Sequence, residues 1–263
     1  MSDATLRLLS STSVLTAIAI GATGVSIMLA WVALARRPFP VGGVVLATGA
    51  VLAMVQAGRV SVMLVIGLLL LVLVGLAPSV SPYVTMAIII PGAAVIGISQ
   101  STAGRGLAPG LVAITIVVLA PLVAWFDERY AASTVGTPLM AMSVVSVFLT
   151  VPDTDVAVLA AGAALPWLMA GPPANLAKLG RAGAFSAVGL LVWLVATGGF
   201  ARPVSVVAGI ATLGVLVAVP VGWLFRTRRG LRDGPQSVTS SDLVPVVGAH
   251  VAIQAVIAVV IRL

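Results

Sequence analysis

An all-α fold, a polytopic bundle of about ten transmembrane helices, is predicted by three features of this sequence. Roughly ten apolar runs of about 17–23 residues fill the chain, and a helix of about 20 such residues crosses the ~30 Å hydrocarbon core of a bilayer. Hydrophobic residues make up 60% of the 263 and charged residues 8%, where a water-soluble domain carries about 25% charge. Asp, Glu, Lys and Arg fall between the runs or at their ends. In lipid every backbone N–H and C=O must be paired within the protein, which leaves helices and closed barrels as spanning structures. Runs of this length select helices.

Taken in order, the first run is Ser13–Ala35. Arg7 before it and Ala33-Leu34-Ala35 at its end resemble a secretory leader, but a leader's apolar core is only about 7–15 residues. A retained helix, closed by Arg36 and Arg37, is expected. Pro40–Ala57 and Val60–Ala77 follow, separated only by Gly58 and Arg59, and read either as two helices or as one broken segment. Tyr83–Ser99 holds Pro91, Gly92 and Gly97. Ala108–Phe126 opens near the Gly106/Gly110 pair and contains Pro121. Thr134–Val151 is interrupted at Gly136-Thr137-Pro138, and Asp155–Ala170 starts after the helix-capping pair Asp153 and Thr154. Ala182–Gly199, Val204–Phe225 and Leu243–Ile261 complete the set, the last capped by Ser240, Ser241 and Asp242. Glycines at helix contacts let backbones approach closely in membranes, and prolines remove backbone donors and kink helices.

About ten spans leave no room for a separate soluble domain, so residues 1–263 are expected to form one integral membrane domain. Five spans per half would make two five-helix inverted halves. The first and sixth spans, which would correspond, are both interrupted, a pattern that points to binding sites in transporters. No residue-level repeat accompanies it.

The net charge of +7 reads as topology, because Lys and Arg collect in cytoplasmic loops. One set of alternate loops holds Arg36, Arg37, Arg129, Lys178, Arg181, Arg226, Arg228, Arg229 and Arg232, nine in all; the other holds Arg7, Arg59, Arg105, Arg202 and Arg262, five. The first set is therefore assigned to the cytoplasmic face, giving N-out and C-out in the cytoplasmic membrane. Nucleic acid is not an expected partner. Residues 226–242 form a basic, Gly- and Ser-rich loop, expected to be flexible. Its Arg226, Arg228, Arg229 and Arg232 are candidates for anionic lipid or a protein partner. The connection from Pro172 to Arg181 reads as a loop or short turn lying in the headgroups.

Residues with chemistry are few. His250 is the single histidine, and Gln254 lies one turn away on the same helix face. Both are costly against lipid and are expected to face inward, with Gln56 near the end of the second span as a third polar contact. One histidine without nearby acids does not make a zinc site, which needs three or four ligands. The chain has no Cys. Ser99 lacks the glycine that would follow a serine nucleophile in such a turn. No metal, cofactor or enzymatic activity is expected. The leading expectation is a small-solute transporter or exporter (a permease) for a neutral or apolar substrate, with His250, Gln254 and Gln56 contacting it. The alternative is a non-catalytic membrane subunit of a secretion or envelope-synthesis complex.

Overall fold

The computed structural model describes residues 12–58, 60–77, 82–101, 109–129, 140, 141, 143–145, 147, 155–170 and 176–197. The described chain is all-helical. Seven named helices follow one another: α1 (Thr12–Ala35), α2 (Gly42–Gln56), α3 (Val62–Leu76), α4 (Pro82–Ser101), α5 (Pro109–Arg129), α6 (Asp155–Ala164, continued by a 3₁₀ segment over Leu165–Ala170) and α7 (Arg181–Thr197). Further helical residues lie between 140 and 147. The runs expected over Val204–Phe225 and Leu243–Ile261, and the loop 226–242, lie outside the described residues.

Among the described residues α1 is the one helix long and apolar enough to cross a membrane. Helices α2 and α3 have 15 residues each, about 22 Å at 1.5 Å per residue, and are shorter than their apolar runs. They are shorter for identifiable reasons. At the start of α2, Phe39 leaves the helical path to form a parallel bridge with Ala177. At its end, Gly58 adopts a left-handed φ of +67° and its N–H donates to the Val55 carbonyl at 2.8 Å. Ser61 then caps α3, its hydroxyl accepting from Leu64 N–H at 3.2 Å. The ambiguity over residues 40–77 resolves as two helices.

Helix α7 is the hub. Every residue from Ala182 to Ala196 is buried, and α2, α3, α4 and α5 all pack on it. Helices α2 and α3 are joined by a short turn yet barely touch, because α7 lies between them. They run in opposite directions along it. The first turn of α2 meets the first turn of α7 at Gly43 and Gly183, while the last turn of α3 meets that same end at Gly75 and Ala182. Helix α6 closes the other side, packing on α1 and α2. Its passage into a 3₁₀ segment coincides with Pro166, whose ring clashes with the carbonyl four residues back in an α-helix.

Apolar side chains cover both faces of these helices, so polarity does not choose which face turns inward. Size does. On α1 the buried positions are Val14, Ala17, Gly21, Gly24, Val25 and Met28, while Leu15, Ile27, Leu29, Trp31 and Leu34 point outward, Leu34 being 86% exposed. On α3 the buried stripe is Leu64, Gly67, Leu68 and Leu71, spaced three and four apart as a helix face requires. The outward stripe is equally apolar: Val62, Ile66, Leu69, Leu73 and Leu76.

The glycine contacts set the helix spacing. A Cβ on Gly43 would lie 2.8 Å from the Gly183 Cα and 2.6 Å from Leu179 Cδ1. One on Gly75 would overlap the Ala182 backbone. Gly43→Ala is therefore expected to destabilise the purified protein by about 1–3 kcal/mol, lowering its thermal midpoint. Gly110, where a Cβ meets nothing within 4 Å, should accept Ala with no loss, or a gain of about 0.5–1 kcal/mol from reduced backbone freedom. Equal midpoints for the two variants would refute this packing.

Candidate functional site

Polar side chains are gathered at the two ends of α7. At its N-terminal end the segment 176–180 is extended. Phe39 N–H donates to Leu176 O at 2.8 Å, Lys178 N–H to Phe39 O at 2.8 Å, and Gly42 N–H to Lys178 O at 2.9 Å. Leu179 is fully buried, so residues 176–180 of the expected Pro172–Arg181 connection are built into the bundle; its residues 172–175 lie outside the described residues. Asp127, only 6% exposed, accepts a hydrogen bond from Gly180 N–H on Oδ2 at 2.8 Å. Gly180 needs its φ of +72° to turn into α7, and a Cβ there would lie 2.5 Å from the Pro40 carbonyl oxygen. Arg181 Nη2 donates to Thr85 Oγ1 at 2.8 Å, and its guanidinium lies 5.7 Å from the Phe185 ring centre, within cation–π range. Trp31 meets Phe39 edge-on at 6.2 Å. This end fastens α2, α4, α5 and α7 together.

The C-terminal end of α7 differs in kind, because its polar groups are uncharged. Trp193 Nε1 donates to Ser99 Oγ at 3.0 Å, and Ser99 donates its own proton to the Ile96 carbonyl at 2.6 Å. Gln100 Nε2 donates to the Trp193 carbonyl at 3.1 Å and to Thr197 Oγ1 at 2.8 Å. Thr197 in turn donates to the Trp193 carbonyl at 2.8 Å. A carbonyl only accepts, so the amide nitrogen must be the atom facing Trp193, which fixes the orientation of the Gln100 side chain. Its other atom, Oε1, is buried with no hydrogen-bond donor among the described residues, although Gln100 is only 1% exposed. An unsatisfied buried acceptor costs about 1–3 kcal/mol, so this one stands out.

Of the polar residues expected to meet a substrate, Gln56 ends α2 with its side chain exposed, and it is no member of the Gln100 network. His250, Gln254 and the arginines Arg226, Arg228, Arg229 and Arg232 lie outside the described residues. Sequence reasoning missed Gln100 and Asp127 because each sits one residue beyond the apolar run it belongs to. The runs Tyr83–Ser99 and Ala108–Phe126 stop just before them, yet α4 continues to Ser101 and α5 to Arg129. A signal was present. Thr85, Ile89, Ala93, Ile96 and Gln100 form one buried stripe on α4, and Val112, Ile116, Ala120, Val123 and Asp127 form one on α5. In both, the polar residue continues the helical spacing of the inward face.

Among the described residues no group of three or more His, Cys, Asp or Glu could hold a metal ion. The site's chemistry is hydrogen bonding. Asp127→Leu should cost about 1–3 kcal/mol by orphaning the Gly180 N–H, whereas Asp127→Asn keeps an acceptor and should retain most of the stability. Thermal unfolding of the two variants in detergent measures the difference; equal losses would mean the bond to Gly180 carries no weight. Comparison with protein-family models, curated proteins and solved structures finds no match to this chain.

Proposed function

We propose that the chain is a polytopic integral membrane protein of about ten spans that carries a small neutral, largely apolar solute across the bilayer. The observation that carries this reading is the uncharged, largely buried hydrogen-bonding cluster at Gln100 within a mainly apolar bundle. The membrane part rests on the outward faces. Leu111, Ile114 and Val118 on α5 and Ile66, Leu69 and Leu73 on α3 are each 42–63% exposed. A soluble monomer rarely exposes a contiguous apolar patch larger than a few hundred Å², and lipid is the medium in which such surfaces are at rest. The 15-residue helices α2 and α3 fall short of a ~30 Å core. Local thinning of the bilayer and paired non-helical backbone make up the difference. The bridge from Phe39 to Ala177 supplies such pairing, since irregular backbone is tolerated at membrane depth where protein covers it.

In this reading the end bearing Arg36, Arg37, Lys178 and Arg181 faces the cytoplasm, with both termini outside. His250 and Gln254 add polar contacts to the solute path, and Arg226, Arg228, Arg229 and Arg232 meet anionic lipid. The α-to-3₁₀ change in α6 supplies an irregular segment of the kind alternating access uses, whereas the first span, expected to be interrupted, is the continuous helix α1. One observation favours a second role. The fully enclosed α7, held by backbone-to-backbone glycine contacts, also suits a rigid, non-catalytic subunit of a membrane complex.

Two experiments separate these roles. Proteoliposomes loaded with a mixture of small neutral metabolites should release specific members faster than protein-free vesicles, with mass spectrometry as the readout. Affinity purification in mild detergent should yield the chain alone. Stoichiometric partners together with no solute-specific release would replace the transporter by the subunit.

A further inference from the structure

The Gln100 amide nitrogen donates to the Trp193 carbonyl and to Thr197 Oγ1. The Thr197 proton goes to the Trp193 carbonyl, the Ser99 proton to the Ile96 carbonyl, and the indole proton of Trp193 to Ser99. What is left over is an acceptor, the carbonyl oxygen Oε1 of Gln100. A site in this condition discriminates by hydrogen-bond sense. It gains from a ligand that brings a donor and gains nothing from one that offers only acceptors, since two acceptors without a proton between them repel.

We infer that the Gln100–Trp193–Thr197 cluster is a recognition site for a neutral ligand bearing a hydroxyl or N–H donor, which it binds through Gln100 Oε1. This deepens the transporter reading and rests on it for its biological meaning, although the site itself is testable alone. The bonds around the amide make the oxygen a fixed acceptor. Rotating the amide to exchange its two atoms would place oxygen against the Trp193 carbonyl, so the group cannot turn to accommodate an acceptor-only ligand.

The test uses the full-length protein in lipid nanodiscs and a matched pair of photoactivatable probes: a diazirine-bearing octanol and its methyl ether. The two share chain, diazirine and acceptor oxygen and differ in the hydroxyl proton. After illumination, labelled positions are mapped by mass spectrometry. The alcohol should label peptides containing residues 99–100 and 193–197 roughly tenfold more than the ether, the ratio expected for one buried hydrogen bond. Gln100→Met, close in shape but without the amide, should erase that ratio. Equal labelling by alcohol and ether in the wild-type protein would overturn the inference, and this arm does not depend on the variant folding. Labelling confined to positions away from both peptides would overturn it too. Selective labelling without solute release from proteoliposomes would keep the site and remove transport. Solute release with equal labelling would keep transport and remove the donor-sensing site.

Discussion

Ala182 lies against the Gly75 backbone and Gly183 against Gly43, and much of the described geometry depends on these two contacts at one end of α7. They bring α2 and α3 so close to α7 that backbones, not side chains, set the spacing. With α7 wedged between them, α2 and α3 need the sharp turn at Gly58 rather than a continuous helix. The same approach draws Phe39 and residues 176–179 into backbone pairing, which in turn brings Gly180 to Asp127 and Arg181 to Thr85. Dispersion is weak per atom pair but large when summed over such closely packed surfaces. In a bilayer it is the principal attraction between apolar helices, because lipid tails are as apolar as leucine and no hydrophobic effect drives the helices together.

Small residues mark the closest helix contacts, while long branched side chains occur on both faces: Leu64, Leu71, Ile89, Ile96 and Ile116 are fully buried, and Leu69, Leu73 and Ile114 face outward. An interior of this kind has little tolerance for charge, and among the described residues its buried polar groups gather mainly at the ends of α7, with Ser143 and Ser186 besides. The two ends diverge in chemistry. Asp127 and Arg181 hold the end where the loops return, each satisfied by a specific partner. The opposite end uses Ser99, Gln100, Trp193 and Thr197, none of them ionised, and leaves an acceptor over. A polar group satisfied on one side only is expensive in a low-dielectric interior, and such sites are characteristic of function rather than of packing.

Helix content was legible from the sequence because it follows from run length and from the backbone's need for partners in an apolar setting. Helix lengths were less so. Hydropathy marks how far an apolar run extends, and α2 ends short of its run because Phe39 and Gly58 serve other backbone bonds. The inward face was hidden from any reading based on polarity, since α3 is apolar all round, yet Gly67 and Gly75 mark it correctly once close approach is the criterion. The Gln100 and Asp127 positions were missed by one residue each. Charge and amide groups were taken as the ends of helices, whereas both continue the buried stripe and find partners there. Grouping Arg36, Arg37, Lys178 and Arg181 on one side needed only alternating loops, and the bonds between the 36–43 and 176–181 segments hold those residues at one end.

The absence of cysteine makes the most direct test simple, because single cysteines can be placed on a thiol-free background. Leu73, 63% exposed on α3, and Ala187, fully buried on α7, should be replaced by Cys separately and treated in native membranes. One thiol reagent should be lipid-soluble and the other membrane-impermeant. A bundle packed on α7 within a bilayer predicts that Leu73→Cys reacts with the lipid-soluble reagent alone and that Ala187→Cys reacts with neither until the protein is denatured. Rapid labelling of Leu73→Cys by the impermeant reagent would place that face in water and contradict the account.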